Sequence, residues 1–556
     1  MSIRRVKIEN FRTIKDAEFY PSALCALVGE NNSGKSNILS ALKLVLGRAW
    51  LNADAFAQRD FWMHDASKDI IIELEFDPPL TYRKFAASSE IGIPVLRWTL
   101  THYKQATTEA QAGDPRLVQE CLQSDGTQIP VLAKAPRKGE QHKYTPLLGI
   151  PREVKAQASV IFVGTNRSLT SQAPGAKYSL LGRLLEDVDA ALSTSQVTIP
   201  TKNGSRELSA REVFMKYLER AMQVLRIPEF KRLETVLRER SLENLGYDPT
   251  IDADRFRFHF GLLDSLEFLK AIKLMFREHD CEFDAAELGE GAQNALVVAI
   301  FQAYEELKLR GAVFLVEEPE MFLHPHHRRF FYRALRKLSK DNQIIYATHS
   351  PEFVAIPEYE DVRIVSRDSD GGTRVCSSTS ASSPELREKL HKELDPERNE
   401  LFFARHVVLV EGDTEKLALP EYAAGLKIDL DRVGCSVVEV GGKRSLSTFA
   451  RIVSSFGIPA AVVFDTDSTD FWKDQQEAQK RCNEELRALR SDLVRVFEFD
   501  PKYESVLRKE MGESEYQRLC QAYPGLSKAI RHRLIAADAS APVPKTIRDI
   551  LEPLAD

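Results

Sequence analysis

No apolar run in this chain reaches the roughly 18 to 20 residues needed to cross a bilayer. The opening, Met1-Ser2-Ile3-Arg4-Arg5-Val6-Lys7-Ile8, has no apolar core of a signal peptide, so the expected location is the cytoplasm and no membrane partner is expected. Cysteine is scarce and scattered. The seven, at positions 25, 121, 281, 376, 435, 482 and 520, are odd in number and show no C-x-x-C spacing, which speaks against a disulfide framework or a zinc site and for reduced packing residues. A basic excess is missing too. Lys and Arg number 76 against 82 Asp and Glu, a formal net charge of -6, so a nucleic-acid partner must meet a local basic groove or bound metal ions. Short-period repeats are also absent. What remains is ordinary globular composition, 43% hydrophobic and 28% charged over 556 residues, room for roughly three or four domains of about 150 residues.

Against this plain background one segment stands out. Gly29-Glu30-Asn31-Asn32-Ser33-Gly34-Lys35-Ser36 fits G-x-x-x-x-G-K-[ST], the phosphate-binding loop. Glycine lets the backbone curl so that successive N–H groups aim at phosphate oxygens; Lys35 adds a point charge and Ser36 a hydroxyl for Mg²⁺. An isolated match could be a glycine turn. Here the apolar Ala23-Leu24-Cys25-Ala26-Leu27-Val28 precedes it and helical periodicity over 37–46 follows, which is the context the motif requires. Asn31, Asn32, Ser33, Gly34, Lys35 and Ser36 are therefore candidate ATP-binding residues.

A second apolar run, Ala312-Val313-Phe314-Leu315-Val316, ends in Glu317-Glu318-Pro319-Glu320. Acids where a buried parallel strand emerges are placed for Mg²⁺ and attacking water, with Glu317 on the metal and Glu318 orienting or deprotonating water; solvated loop acids are the alternative. His324, His326 and His327 are not taken as metal ligands, since Pro325 begins a helix and no thiol or acid cluster accompanies them. Residues 101–152 read as polar and irregular, Ala158-Ser159-Val160-Ile161-Phe162-Val163 as a buried strand, and 179–254 as a helical insertion serving partner contact or passive packing. Residues 366–384 combine a hairpin-like turn with a Ser-rich flexible linker. Beyond it, four apolar runs alternate with helical stretches, the pattern of a parallel α/β sheet. The expected organisation is 1–178 and 255–380 as two parts of one ATPase domain, 179–254 inserted, 381–400 a linker, and 401–556 a second catalytic domain.

Two of those later runs end in acids. Val407-Val408-Leu409-Val410 leads into Glu411-Gly412-Asp413-Thr414-Glu415, and Ala461-Val462-Val463-Phe464 into Asp465-Thr466-Asp467. Residues two apart on a strand share a side, so Asp465 and Asp467 are expected to converge, with Glu411 facing them and Glu415 in the first turn of the next helix. Such a set repels itself unless divalent cations neutralise it, and oxygen ligands suit Mg²⁺ or Mn²⁺; a solvated acidic rim is the alternative.

The first part resembles the ABC-type ATPases of the structural-maintenance-of-chromosomes and recombination class. Asn10-Phe11-Arg12 resembles their opening strand, Leu288-Gly289-Glu290-Gly291-Ala292-Gln293 their signature, Glu317-Glu318 their Walker B end and Thr348-His349-Ser350 their switch histidine loop, all in family order. The signature departs from Leu-Ser-Gly-Gly-Gln in having Gly289 for serine; no diagnostic spacing marks Gln58 as the Mg²⁺-linked glutamine. This resemblance implies that Arg12, Gly289 and Gly291 contact nucleotide, that His349 is catalytic, and that one subunit's signature closes over ATP on another, hence a homodimer or higher homo-oligomer. The order E-G-x-x-E then D-x-D resembles the TOPRIM fold, and an ATPase head followed by TOPRIM resembles the OLD (overcoming lysogenization defect) nuclease family over nearly the whole chain. That family implies a metal set of Glu411, Glu415, Asp465, Asp467 and Glu504, a late catalytic lysine at Lys545, DNA as substrate, a role in phage defence or DNA processing, and in some cases a helicase or other companion. The expected fold class is α/β: an ABC-type P-loop ATPase domain with a helical dimerisation insertion, then a Rossmann-like parallel-sheet TOPRIM domain. The expected function is an ATP-hydrolysing, metal-dependent DNA endonuclease; the alternative is an ATP-driven nucleic-acid-binding scaffold or sensor that does not cut.

Overall fold

The computed structural model describes residues 1–47, 51–86, 88–106, 111–135, 143–158, 160–165, 179–201, 204–224, 227–245, 247–251, 264–278, 281–306, 311–379, 390, 397–468 and 473–554. It divides into two compact units, Met1–Val160 with Lys308–Asp556, and Ile161–Leu307. Most of the expected 381–400 linker and the 254/255 boundary lie outside the described residues.

In the first unit β1 (Ser2–Phe11) and β2 (Ile14–Phe19) pair antiparallel, Val6 opposite Phe19. The next strand, β3 (Leu24–Val28), buries all five residues and leads through the glycine-rich loop into the helix Lys35–Gly47, whose Ile38, Leu39, Leu42, Val45 and Leu46 are buried at helical spacing. Strands β4 (Ile70–Tyr82), β5 (Ile91–His102) and β6 (Pro115–Leu122) complete an antiparallel sheet of order β2-β1-β4-β5-β6. The strand β6 corrects the expectation of irregular chain over 101–152. It pairs with β5 along its whole length, and an edge strand of an antiparallel sheet needs little apolar sequence to do so. A short hairpin, β7 (Pro130–Leu132) with β8 (Tyr144–Pro146), follows, and β9 (Val160–Val163) falls where the apolar run predicts a strand.

The second unit is mainly helical: Leu180–Thr194, Ala210–Val224, Pro228–Asn244, Ser265–Lys270 and Glu290–Glu306. It is not wholly so. A hairpin, β10 (Gln196–Thr201) with β11 (Gly204–Ser209), interrupts the expected helical insertion, and β12 (Met275–Glu278) pairs with β13 (Cys281–Asp284). Both hairpins are mostly polar, so the period-of-two signal over them is weak. Asp189 pins the helices together, accepting a hydrogen bond from Ser265 and lying 3.7 Å from Arg211.

Returning to the first unit, β14 (Val313–Glu317), β15 (Gln343–Thr348) and β16 (Val362–Arg367) run parallel with β3, and β17 (Thr373–Ser377) turns back antiparallel, giving the order β17-β16-β3-β15-β14. Register sets Glu317 opposite Ala347 and Thr348 opposite Val28. The glycine-rich loop, the acids and the histidine loop thereby leave the sheet at one carboxyl-terminal edge, the usual ligand edge of such sheets.

A second, wholly parallel sheet of order β19-β18-β20-β21 is built from β18 (His406–Val410), β19 (Cys435–Glu439), β20 (Ala460–Asp465) and β21 (Val494–Phe499). Alternate residues face opposite cores: Val407, Leu409, Ala460 and Val462 one, Val408, Val410, Ala461 and Val463 the other. Burial on both faces is why these strands read as unbroken apolar runs. The first of these cores also contains Val28, Val354, Ile356, Tyr359 and Val362 of the P-loop part. The P-loop part and the part beyond residue 400 thus share packing instead of being joined by the linker alone.

Candidate functional site

At the sheet edge of the first part, Gly29 and Gly34 take φ of 147° and 114°. A Cβ on Gly29 would stand 2.0 Å from the Val365 carbonyl oxygen, and one on Gly34 would stand 2.1 Å from Thr373 Oγ1, so this loop admits only glycine there. Lys35 is 5% exposed; its Nζ donates to the carbonyl oxygens of Gly29 and Glu30 at 2.8 and 2.7 Å. Burial pushes its pKa down to about 8, against the opposing pull of Glu318, Glu320 and Glu30. Ser33 is buried and its carbonyl accepts from Thr373 Oγ1 at 2.9 Å, whereas Asn31, Asn32 and Ser36 are exposed at the loop rim. The Asn32 carbonyl accepts from Arg367 Nε at 2.9 Å. Arg12 Nε donates to Asp60 Oδ1 at 2.7 Å, and its backbone N–H to the Asp60 carbonyl, which fixes the guanidinium beside the helix that starts at Lys35.

The acids come from β14. Glu317 ends the strand, and Glu318 takes a left-handed φ of 44° while its N–H bonds the Ala347 carbonyl at 2.8 Å. That conformation, costly for a residue with a side chain, turns the carboxylate out of the strand direction. Glu320 was not singled out by sequence, yet its carboxylate accepts from Thr348 Oγ1 at 2.9 Å and from the His349 N–H at 2.6 Å. Burial lowers the His349 pKa, the Lys35 charge lowers it further, and Glu318 opposes both. Lys35, Glu318, Glu320 and His349 consequently form one electrostatic neighbourhood. In the other unit, Gly289 and Gly291 lie at the start of the helix Glu290–Glu306, where Gly289's carbonyl accepts from Ala292 and Gln293.

The second site begins where β18 and β20 end. Glu411 follows β18, Asp465 closes β20, and the Asp465 N–H lies 3.4 Å from Glu411 Oε2. Glu415, 6% exposed, occupies the first turn of the helix Asp413–Gly425. Burial raises the pKa of Glu411 and of Glu415. It raises Asp465 to about 7, with Glu415, Glu411 and Asp467 adding repulsion and the Tyr503 N–H, 2.8 Å from Asp465 Oδ1, opposing it. The expected strand alternation of Asp465 and Asp467 does not hold. The strand stops at Asp465, and Asp467 adopts a φ of 50° with its N–H bonded to the Pro501 carbonyl. What relates the two is Lys443, whose Nζ reaches the Asp465 carbonyl at 2.5 Å and Asp467 Oδ2 at 3.5 Å. Glu504 follows Tyr503 on the helix Tyr503–Met511 and is paired with Lys528. Lys545 is exposed at the start of the helix Lys545–Leu551, and no described bond joins it to these acids.

Among the described residues no three acids, histidines or cysteines stand at metal-coordination spacing. The donor chemistry nonetheless fits a hard divalent ion: oxygen donors alone, Glu415 buried and Glu411, Asp465 and Asp467 half-buried, held against mutual repulsion. Lys443, Glu320 and the Tyr503 N–H escaped sequence reading because each acts on a residue distant in the chain; only the Gly441-Gly442-Lys443 turn left a local signal.

Three family models match: "Overcoming lysogenization defect protein-like, TOPRIM domain" over residues 402–467, "AAA ATPase domain" over 1–112, and "AAA domain, putative AbiEii toxin, Type IV TA system" over 190–355. Among curated relatives, the OLD nuclease of Thermus scotoductus is 30% identical over 527 residues, covering 91% of each chain. The Old nuclease of Escherichia phage P2 is 24% identical, covering 83% of this chain and 76% of its own, and Endonuclease GajA of Bacillus cereus is 21% identical, covering 84% and 75%. With the P-loop edge and the carboxylate-ended parallel sheet both in place, this chain belongs to the OLD nuclease family, an ATPase head joined to a TOPRIM domain.

Proposed function

We infer that the chain is an ATP-hydrolysing endonuclease that cuts DNA by metal-dependent hydrolysis of phosphodiester bonds. The observation that carries this is the convergence of half-buried Glu411 and Asp465 at the ends of adjacent parallel strands, the Asp465 N–H 3.4 Å from Glu411 Oε2, with buried Glu415 in the first turn of the helix that follows; partial burial and the neighbouring acids raise Asp465 to about 7. Crowding and desolvation of acids in this way is an arrangement characteristic of functional sites. Glu411, Glu415, Asp465 and Asp467 would hold divalent ions, Mg²⁺ or Mn²⁺, with Glu504 contributing from the helix after β21. Bound there, the ions supply Lewis acidity toward a phosphodiester and its attacking water. The chain's own part is to hold the ligands: the Tyr503 N–H orients Asp465, and Lys545 would offset charge on the phosphate.

At the other site Lys35 and the loop N–H groups would bind ATP phosphates, Ser36 and Glu317 would hold Mg²⁺, Glu318 would orient a water for hydrolysis, and His349 would be catalytic. Arg12 would flank the nucleotide. Gly289 and Gly291 would close over ATP on a second copy, making the working form a homodimer. A part in phage defence or DNA processing, with or without a helicase companion, rests on family likeness.

The test is cleavage of supercoiled and linear DNA with Mg²⁺ or Mn²⁺ by the wild type and by Asp465→Ala plus Asp467→Ala, each without nucleotide, with ATP and with a non-hydrolysable analogue. The double variant is expected to lose at least a hundredfold in cutting while keeping ATP turnover. Equal cutting by both proteins would sink the site assignment. A wild type that binds DNA but never cuts would favour the scaffold reading.

A further inference from the structure

Lys443 has no part in the chemistry so far assigned. It is 5% exposed, in a position where an ammonium group is costly unless it does something specific. It emerges from Gly441-Gly442, whose φ values of 77° and 108° form the turn after β19. That turn is fixed in its own right. Glu439 accepts from the Gly441 N–H and from Arg398 NH2 at 2.9 Å, so the helix Lys443–Ser455 starts at a defined point. Strand order is β19-β18-β20, and the helix that Lys443 opens packs on β18 and β20, which brings the lysine from the turn after β19 to the end of the β20 strand. Its Nζ meets a backbone carbonyl, that of Asp465, at 2.5 Å, more closely than the Asp467 carboxylate at 3.5 Å, and sits 5.4 Å from the Phe464 ring centroid.

We propose that Lys443 is a positioning residue for the carboxylate centre: by holding the Asp465 carbonyl it sets the 465–467 turn, and so aims Asp465 and Asp467 together at a divalent ion. This rests on the reading of those two acids as metal ligands. Contact with a neutral carbonyl, beside the charge the lysine sets against Glu411 and Asp467, is what points to positioning and not to charge balance alone. A lysine present only to neutralise acids would seek carboxylate oxygens, and its removal would strengthen cation binding because a competing positive charge is gone. A lysine that sets the turn gives the opposite sign.

The experiment is Mn²⁺ binding to the full chain without nucleotide, followed by electron paramagnetic resonance, for wild type, Lys443→Met, Lys443→Arg and Asp465→Ala plus Asp467→Ala. The double variant identifies the ions at this centre. The expected result is at least a tenfold weakening of that binding in Lys443→Met, with ATP turnover reporting an intact fold. Unchanged or tighter binding in Lys443→Met overturns the proposal. Should Lys443→Met not fold, Lys443→Arg decides: it keeps the charge but misplaces the donor, so weakened binding supports positioning and unchanged binding overturns it. If the double variant binds Mn²⁺ like wild type, it is the ligand assignment that fails, an outcome distinct from a failure confined to Lys443.

Discussion

At the scale of single residues, the clearest gain over sequence is Glu320. Glu317 and Glu318 are legible because they end an apolar run next to a P-loop chain, whereas Glu320 acts 29 residues away, on the His349 N–H. Its two oxygens accept from that N–H and from the Thr348 hydroxyl, so the acid holds the histidine loop in register with β14. Glu320→Ala leaves both donors without that acceptor in a part-buried place, a loss of about 1 to 3 kcal/mol that falls on the loop and not on the nucleotide. The expected outcome is a drop of about tenfold or more in ATP turnover with ATP affinity changed less than about threefold, and a smaller drop in Glu320→Gln, which keeps one acceptor. Steady-state kinetics beside equilibrium binding of a fluorescent ATP analogue checks this. A loss confined to affinity would place Glu320 on the nucleotide instead.

At the scale of elements, legibility follows burial. The strands β18, β20 and β21 show in the sequence because both faces are covered, and β3, β14 and β15 for the same reason; β6 and the β10–β11 hairpin do not, since polar sequence tolerated at an edge carries no periodic signal. The helices behind the carboxylate sheet are legible as helices, but not their mutual bonds. His532, 3% exposed on the helix Lys528–Ala537, has Nε2 3.0 Å from the Tyr516 hydroxyl and Nδ1 2.8 Å from the Lys528 carbonyl, an arrangement that suits the neutral ring. Its ring also packs on Tyr503, whose N–H holds Asp465. Burial lowers its pKa, with Lys528 and Arg531 adding to the effect and the Lys528 carbonyl opposing it. A histidine whose folded pKa lies below its unfolded value of about 6.5 stabilises fully above that pH. That contribution fades as pH falls from there toward the depressed value, because the unfolded ring takes up the proton first. Hydrogen exchange across 528–537 should therefore speed up between pH 7 and 5.5, after correction for intrinsic rates, in wild type more than in His532→Gln. Equal acceleration in the two would remove His532 as the cause.

At the scale of the molecule, the P-loop and the carboxylate cluster are joined by contacts through which the two sites could be coupled. The shared core is one route: Val28, at the end of β3, and Tyr359 pack in the same cluster as Val407 and Leu409, and Phe456 stacks edge-on against both Tyr359 and Phe402. A cavity of roughly 400 Å³ beside it is lined by Glu30 and Asn31 of the phosphate loop and by Arg405 and Phe456 of the TOPRIM part. Across it runs an ion pair between Glu30 and Arg405, 375 residues apart, with Arg405 NH2 at 2.7 Å from Glu30 Oε2. Nothing in the sequence marks that pair. The Arg405 and Glu30 side chains are 60% and 47% exposed, so the pair contributes at most about 1 kcal/mol to stability. The same ceiling applies to any coupling it carries, about fivefold in the ratio of cutting rates with and without nucleotide. Arg405→Ala is therefore expected to leave folding unchanged and to shift that ratio by two- to fivefold at low salt. At about 0.5 M salt, where screening removes most of an exposed pair, wild type and variant should converge. The double reversal Glu30→Arg with Arg405→Glu would restore the wild-type ratio only if Arg at position 30 left the phosphate loop intact, so its ATP affinity must be measured alongside. A ratio indifferent to Arg405 at every salt concentration would assign the coupling to the packed core, whose rearrangement needs no charge.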